Sequence, residues 1–196
     1  MRPRNNFCFL SAVLALLLFV PGCQGSRAVN VLWPDLNDQY IETTRQWTRT
    51  GSIHSGFETE IIVHATYKSK DWLEAYSNKN VQVFAKTAQE QEDTRETLFR
   101  TEGKETEFFL SIYSPKTEQS RLSFNDPLWS IFVLDEGQKY YPLEIRPVRE
   151  PLARTQVFFP HVRQWHNNYI LRFPGEPGDS FTMIMTGPLG RIELDW

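Results

Sequence analysis

The feature that most constrains the fold is a run of alternating side chains between Ile53 and Tyr67, in which Ile62 is the one apolar residue on the polar face. One face of this run carries Ile53, Ser55, Phe57, Thr59, Ile61, Val63, Ala65 and Tyr67, and the other carries His54, Gly56, Glu58, Glu60, His64 and Thr66. Because side chains of an extended chain point alternately to opposite faces, this period of two predicts a β-strand with one buried and one solvated face. We expect the strand to bend or bulge near Gly56, where the missing side chain lowers the cost.

Several shorter stretches with strand character follow after residue 105. They are found at 108–113, 128–134, 139–145, 169–173, 181–185 and 191–196. The stretch at 128–134 is apolar on both faces, which is typical of a central strand covered on both sides. Six or seven strands with short turns and no regular alternation with helices predict a mainly β fold. The expected architecture is an antiparallel, immunoglobulin-like β-sandwich.

A helical insertion interrupts the strand pattern at about 71–105. Ser69 and Asp71 offer side-chain oxygens that can cap a helix N-terminus, and the apolar spacing that follows fits one helical face. The sequence Asn78-Lys79-Asn80 indicates a break, after which apolar spacing resumes. The insertion is therefore expected to hold two helices between strands.

The first 25 residues have the layout of an export signal. Arg2 and Arg4 give a positive start, residues 7–20 form an apolar run, and Gly22 leads into Cys23. The apolar run is shorter than the roughly 20 residues that a permanent transmembrane helix needs. We therefore expect residues 1–22 to be a signal peptide that is removed from the mature chain.

The end of this signal resembles that of bacterial lipoproteins, in which a cysteine receives diacylglycerol. Val20, Gly22 and Cys23 carry the resemblance, which implies lipidation at Cys23 and a membrane as the first partner. Gln24 in place of Asp implies the periplasmic face of the outer membrane under the sorting rule of enterobacterial lipoproteins. Polar, aperiodic residues indicate a lipid-anchored tether over 23–45, which leaves 46–196 as the expected folded domain.

Composition and cysteine content exclude several classes of function. Removal of Arg2 and Arg4 with the signal changes the formal charge from −3 to −5, whereas nucleic-acid binding calls for a clustered positive surface. Cys8 lies in the signal and Cys23 is assigned to the lipid, so the mature domain has no thiol for catalysis, a disulfide or a Cys-rich zinc site. No nucleic acid and no cofactor are expected.

Three stretches of the mature chain resemble a group of uncharacterised bacterial envelope lipoproteins. They are FFPHVRQW at 158–165, YILRFP at 169–174 and TGPLGRIEL at 186–194. The resemblance implies a shared fold and an envelope location. It carries no catalytic residue that can be transferred to this sequence.

Two sets of residues invite a chemical interpretation. Gly178-Asp179-Ser180 matches a block of some serine hydrolases, but it lies 16 residues from the C-terminus in a turn and has no ordered partners. His54 and His64 would lie roughly 33 Å apart on a single strand, too far to share a metal ion. His161 and His166 lie in a loop-rich passage and are expected at the surface, so no metal site is assigned.

Charge is distributed unevenly along the chain. Acidic residues give 89–107 a net charge of −4, and five arginines give 145–172 a net charge of +4. The simplest interpretation is two solvated surfaces. The sharper one is a contact patch for an envelope protein partner, because Arg and aromatic residues are enriched at binding hot spots. Its predicted members are Arg146, Arg149, Arg163 and Trp165, with Phe158 and Phe159 belonging either to the patch or to the core.

These features predict a lipid-anchored envelope protein that is not an enzyme and acts as an interaction or structural module. The alternative is a β-sandwich that binds a small ligand or a glycan. Aromatic residues make up 14% of the chain, and Trp47, Trp165 and Trp196 fall outside the alternating strand positions. An enzyme would need a pocket with perturbed titratable groups, which a sequence does not show.

Overall fold

The structure is a computed structural model that describes residues 38–100, 103–124 and 127–196. In that part of the chain the helices are α1 (Gln39–Trp47), α2 (Lys70–Phe84), α3 (Ala88–Phe99) and α4 (Leu152–Phe158), and Thr117–Ser120 forms a 3-10 turn. The strands are β1 (Thr48–Ser55), β2 (Glu58–Tyr67), β3 (Glu105–Tyr113), β4 (Ser130–Asp135), β5 (Gln138–Tyr140), β6 (Glu144–Pro147), β7 (Asn167–Pro174), β8 (Phe181–Gly187) and β9 (Gly190–Asp195).

The strands form two antiparallel sheets. The larger sheet has the order β1-β2-β3-β7-β6, and the smaller has the order β5-β4-β8-β9. The helices α2 and α3 are inserted between β2 and β3. This arrangement confirms the predicted β-sandwich with a helical insertion, and β4 is central in its sheet, as its two apolar faces predict.

The main hydrophobic core is built from alternate residues of the two sheets. In the larger sheet these are Ile61, Val63, Ala65, Phe108, Leu110, Ile112, Leu171 and Phe173, and in the smaller sheet Ile131, Val133, Met183, Met185, Ile192 and Leu194. All are buried. Each large apolar side chain of this kind stabilises the fold by roughly 1.5–3 kcal/mol relative to full exposure. Every second side chain of these strands therefore points between the two sheets and is buried there.

At one side of the sandwich, β1 lies against β9. A Cβ atom added at Gly51 of β1 would overlap Ile192 Cγ2 and would lie 3.2 Å from Leu194 Cδ2. The indole Nε1 of Trp196 donates a hydrogen bond to the carbonyl oxygen of Trp47 at 3.0 Å. Gly51 is therefore required by a close approach of two strands, and the sheets are joined at this side.

The other face of the larger sheet, called the outer face below, carries a second hydrophobic layer. Its buried side chains are Tyr40, Ile41, Trp72, Phe109, Phe158, Phe159, Val162 and Ile170. The rings of Phe109 and Phe159 stack with centroids 3.5 Å apart and planes 6° apart. Trp72 Nε1 donates a hydrogen bond to Thr44 Oγ1 at 3.1 Å. Helices α1, α2 and α4 thus cover part of the face that the alternating pattern assigned to solvent, and Thr66 on that face is buried.

The alternating run at 53–67 is a hairpin, so the prediction of one long strand is wrong. β1 ends at Ser55, which pairs with Glu58 at the start of β2. Gly56 between them has φ +61°, a left-handed conformation that favours glycine. Both arms of the hairpin keep the period of two, so alternation alone cannot show where the chain reverses. Phe57, predicted on the buried face, lies fully exposed at the tip.

The two-helix insertion is confirmed, although its break lies elsewhere than predicted. Ser69 caps α2 by accepting a hydrogen bond from a backbone N–H of the first turn. The helix continues through residues 78–80 and gives way at Ala85, which has a left-handed backbone. Thr87 then caps α3. Asn80 is buried in α2, so packing there outweighs the low helix propensity of Asn.

Two helices lie where the sequence indicated none. Helix α1 includes residues 39–45, which the sequence assigned to the tether, and it buries Tyr40 and Ile41 in the second layer. Helix α4 lies in a passage between Pro147 and Pro160 that the sequence indicated to be loop. The helices have 9 and 7 residues, which gives few periodic positions from which to predict them. Residues Gln39–Trp196 form one compact unit.

Residues 1–37 lie outside the described residues. The signal at 1–22, the lipid at Cys23 and the tether up to residue 37 therefore stay predictions from the sequence. No helix in the described ranges combines the length and apolar composition that crossing a membrane requires.

Candidate functional site

The predicted contact patch divides between two segments of the chain. Arg146 lies on the edge strand β6 and Arg149 in the loop after it. Arg163 and Trp165 lie in the stretch between α4 and β7, called the 159–166 segment below. All four side chains are exposed, and Trp165 is 72% exposed. Trp165 is therefore a large aromatic side chain that the described residues leave open to solvent.

The pairing of β6 with β7 brings the two segments to neighbouring positions. The backbone N–H of Val148 donates a hydrogen bond to the carbonyl oxygen of Asn168 at 2.8 Å. Because the two strands are antiparallel, this register places Arg149 beside the start of β7. The 159–166 segment ends at that point, so the structure brings together the two halves of the predicted patch.

The 159–166 segment is held by buried side chains and by hydrogen bonds to its backbone. Phe159 and Val162 are buried in the second layer, as is Phe158 just before them, so these two phenylalanines belong to the core and not to the patch. Gln156 Nε2 donates a hydrogen bond to the carbonyl oxygen of Val162 at 3.0 Å. Arg163 donates one to the carbonyl oxygen of Pro160 at 2.6 Å. The exposed residues of the segment thus stand on a fixed backbone.

The basic and acidic stretches of the sequence partly neutralise each other. Arg172 lies 3.0 Å from a carboxylate oxygen of Glu105 and 3.4 Å from one of Glu144. Arg146 lies 3.6 Å from the other carboxylate oxygen of Glu144. Arg149 and Arg163 make no ion pair within the described residues. The positive charge available to a partner is therefore smaller than the sequence count, and it lies nearest to Trp165.

Sequence reasoning missed a cluster of three histidines on the outer face. The ring of His64 on β2 lies 4.9 Å from that of His161 and 5.8 Å from that of His166, measured between centroids. The prediction that His161 and His166 are surface residues is wrong, because both are half-buried against the sheet. The only sequence feature that hinted at this cluster was the position of His64 on a strand face that also carries Thr66. Nothing in the sequence indicated which residues cover that face. We call His64, His161 and His166 the histidine cluster.

The histidine cluster sits on a row of polar side chains that crosses four strands. In this row Thr50 pairs with His64, His64 with Ser111, and Ser111 with Asn168. Thr50 Oγ1 lies 2.8 Å from His64 Nδ1, and Ser111 Oγ lies 2.8 Å from His166 Nδ1. The buried Nε2 atom of His161 and the buried Oδ1 atom of Asn168 have no hydrogen-bond partner within the described residues. The row fixes two rings by their Nδ1 atoms and leaves the third ring without a polar contact at Nε2.

Burial and mutual proximity keep the cluster uncharged near neutral pH. Desolvation, together with the positive charge of the neighbouring groups, lowers the pKa of His64 to about 4 and that of His161 to about 3. Desolvation and then Arg163 lower the pKa of His166. A charged imidazole loses hydration in such a site, and no carboxylate of the described residues compensates for that loss. Three neutral rings therefore pack together beside one guanidinium group.

The fourth histidine lies outside the cluster. His54 Nε2 is 3.0 Å from Ser52 Oγ, and its Nδ1 is 3.3 Å from Thr59 Oγ1. The hairpin corrects the predicted separation of His54 and His64: Thr50 pairs with His64, and four residues along a strand span about 13 Å. Within the described ranges, no three His, Asp or Glu side chains are arranged to hold a metal ion.

The Gly178-Asp179-Ser180 block forms part of an exposed turn. Gly178 donates its backbone N–H to Asp135 Oδ2 at 3.0 Å, and the side chains of Asp179 and Ser180 are exposed. Beside this turn is a cavity of about 70 Å³, lined by Thr106, Val133, Asp135, Tyr140, Phe173 and the start of the loop at 174–177. Gly178 therefore ties the turn to Asp135 at the end of β4, and no hydrogen bond among the described residues joins Ser180 to a histidine.

Two of the three tryptophans named as a glycan platform are occupied by packing. The Trp196 ring stacks on Phe181 with centroids 5.4 Å apart. Trp47 lies edge-on to Tyr67 at 5.5 Å. Of the three, Trp165 keeps a face that is open to a ligand or partner.

The sequence matches no protein-family model, and no curated protein sequence is significantly similar to it. Among solved structures, the chain is similar to a protein of unknown function from Burkholderia pseudomallei K96243. The two share 12% sequence identity over 87% of this chain and 88% of the other, with a TM-score of 0.44.

Proposed function

We propose that this chain is a lipid-anchored protein of the bacterial envelope that works as a non-enzymatic interaction module. The export signal and Cys23 support the anchor, and Gln24 supports the periplasmic face of the outer membrane. The compact unit that carries the two sheets begins at Gln39, so about 15 residues lie between it and Cys23 in the sequence. A chain of this length lets the folded part reach a partner near the membrane surface.

The observation that carries the proposal is the exposure of Trp165 on a fixed backbone. The indole of Trp165 stays 72% exposed, so little of its apolar surface is buried on folding. The free energy of burying that surface is therefore still available to a binding partner. Buried Phe159 and Val162 hold the segment that displays Trp165. Binding therefore needs little ordering of the backbone that carries the indole, which keeps the entropic cost of capture small.

The chemistry of the surface defines the kind of partner. Arg163 stands two residues from Trp165, and Arg149 lies beside the end of the same segment. Arginine binds carboxylates through a planar pair of donors, and its positive charge speeds the encounter with an acidic surface. The expected partner is an envelope protein that offers an apolar pocket for the indole with acidic residues around it.

Chemical cross-linking of the lipidated protein in cells tests this function. A discrete adduct with another protein is expected, and its yield should fall in the variant that combines Arg146→Glu, Arg149→Glu and Arg163→Glu. The matched control is Arg191→Glu, an exposed arginine on β9. If the adduct yield is equal in both variants, these three arginines take no part in binding the partner.

A second function is favoured by the cavity at the end of the sandwich. Its volume of about 70 Å³ admits only part of a small ligand, since ligand pockets usually measure roughly 300–1,000 Å³, and Asp135 and Thr106 offer polar contacts among apolar walls. This function predicts a rise in Tm of the full chain with an envelope saccharide or metabolite. Asp135→Asn should remove the rise, and a rise that this variant keeps would exclude the cavity.

A further inference from the structure

The histidine cluster joins two parts of the chain that are distant in sequence. His64 belongs to β2, whereas His161 and His166 both belong to the 159–166 segment. The contacts of 4.9 Å and 5.8 Å between the rings therefore attach that segment to the sheet. The same segment displays Arg163 and Trp165.

The surroundings of the cluster contain little that would stabilise a positive charge. Element by element, the side chains that face it are Thr50 of β1, Phe109, Ser111 and Tyr113 of β3, Phe159 and Arg163 of the 159–166 segment, and Asn168 of β7. Glu60, near the start of β2, lies 3.8 Å from Lys116. Among the described residues, no carboxylate is a cause of the shifted pKa of any of the three histidines. Protonation would thus place up to three positive charges together and beside Arg163.

We propose that the histidine cluster is an acid-labile clasp, which holds the 159–166 segment on the sheet near neutral pH and releases it in acid. On release, Arg163 and Trp165 lose their fixed positions, so acid also weakens capture of the partner. The second half of this proposal rests on the proposed function. The clasp itself rests only on the contacts within the chain.

The direction of the pH effect follows from the lowered pKa values. Released rings regain the ordinary histidine pKa of about 6.5, whereas clasped rings have lower values. The stabilisation of the closed segment by the cluster is therefore complete above about pH 6.5. It is lost as the pH falls towards the pKa values of the clasped rings. For each histidine, the ratio of closed to open segment falls about tenfold per pH unit in that window.

Hydrogen exchange of the full chain in detergent tests the clasp without any partner. Amide protection factors, corrected for the intrinsic exchange rate, are compared at pH 7.5 and 5.0. We expect the 159–166 segment to lose at least tenfold in protection at pH 5.0 while β8 stays protected. In the double variant His64→Gln and His161→Phe the loss should be much smaller, and in the control His54→Gln it should equal that of the wild type.

The clasp is overturned by equal protection of the segment at both pH values, or by an equal loss in the double variant. Because the double variant can fail to fold, the titration of the wild-type imidazole C–H signals by NMR provides a second measurement. The three histidines of the cluster should titrate below the ordinary imidazole range, in step with the loss of protection. Titration of all three at the ordinary histidine pKa of about 6.5 would contradict the clasp.

Cross-linking at the same two pH values tests the link to capture. The adduct yield of the wild type should fall at least tenfold at pH 5.0, and that of the double variant should fall much less. An unchanged wild-type yield together with lost protection would overturn the link. Absence of any adduct at pH 7.5 would contradict the proposed function and with it the link, whereas the exchange measurement would still decide the clasp.

Discussion

Phe159 stacks on Phe109 with ring centroids 3.5 Å apart, and two residues later His161 packs against His64 at 4.9 Å. The segment that displays Trp165 is therefore attached to the sheet by apolar contacts such as that of Phe159 and by titratable contacts such as that of His161. The apolar contacts act at every pH, whereas the titratable ones weaken in acid. The two kinds of attachment can be separated by mutation.

Loss of the apolar attachment should destabilise the fold near neutral pH. Phe159→Ala removes a buried ring, and we expect the free energy of unfolding in urea to fall by about 3–5 kcal/mol at pH 7.5. Trp165→Ala removes a ring that is largely exposed and should change it by less than about 0.5 kcal/mol. Equal effects of the two substitutions would contradict the description of the segment.

The titratable attachment should make stability depend on pH. Because burial lowers the pKa of His161 to about 3 in the folded chain, the unfolded chain binds a proton below about pH 6.5 that the folded chain does not. The contribution of His161 to stability is therefore complete above about pH 6.5 and is lost as the pH falls towards 3. Between pH 6.5 and 5, the wild type should lose about 1.4 kcal/mol of unfolding free energy per pH unit more than His161→Phe. His54→Gln should keep the wild-type slope. If His161→Phe leaves the slope of stability against pH unchanged, protonation of this ring is not coupled to folding.

The close approach of β1 and β9 should make Gly51 intolerant of a side chain. In Gly51→Ala the added methyl group overlaps Ile192 Cγ2, so we expect a loss of about 1–3 kcal/mol in the free energy of unfolding. Ile192→Ala removes the overlapping atom. In that background the added effect of Gly51→Ala should be much smaller, which a double-mutant cycle measures. Additive effects would contradict the strand contact.

The lipid anchor makes its own prediction about Cys23. Intact mass of the membrane-extracted protein should correspond to a chain that starts at Cys23 and carries acyl groups. Cys23→Ser should abolish the added mass, whereas Cys8→Ser should still give the same mature mass because residue 8 lies in the predicted signal. A mature wild-type chain of unmodified mass would contradict the anchor.

The sandwich could be predicted from the sequence because the strands of both sheets place apolar side chains at every second position. That alternation is a local property: Phe108, Leu110 and Ile112 alternate within one strand and need no knowledge of the partner sheet. The same local character explains the error at Gly56, since a hairpin keeps the alternation of a single strand. A turn of two residues with one glycine left too weak a signal against fifteen alternating positions.

The exposure of the candidate patch could be read only in part from the sequence. Arg146, Arg149, Arg163 and Trp165 were named from residue type and all four are exposed, but Phe158 and Phe159 have the same composition signal and are core. The histidine cluster could not be predicted because His64 and His161 are 97 residues apart. Their contact depends on the path of the chain after α4, which no periodic pattern encodes. Burial by such distant segments is what lowers the pKa of both rings.

The most direct test of the interaction module is site-specific photo-cross-linking in living cells. A photoreactive amino acid is placed at position 165, and at position 57 as the control, because Phe57 is also a fully exposed aromatic residue. We predict one discrete heterologous adduct from position 165 and none from position 57. Adducts of equal yield from both positions, or no adduct from position 165, would contradict the assignment of this surface to a partner.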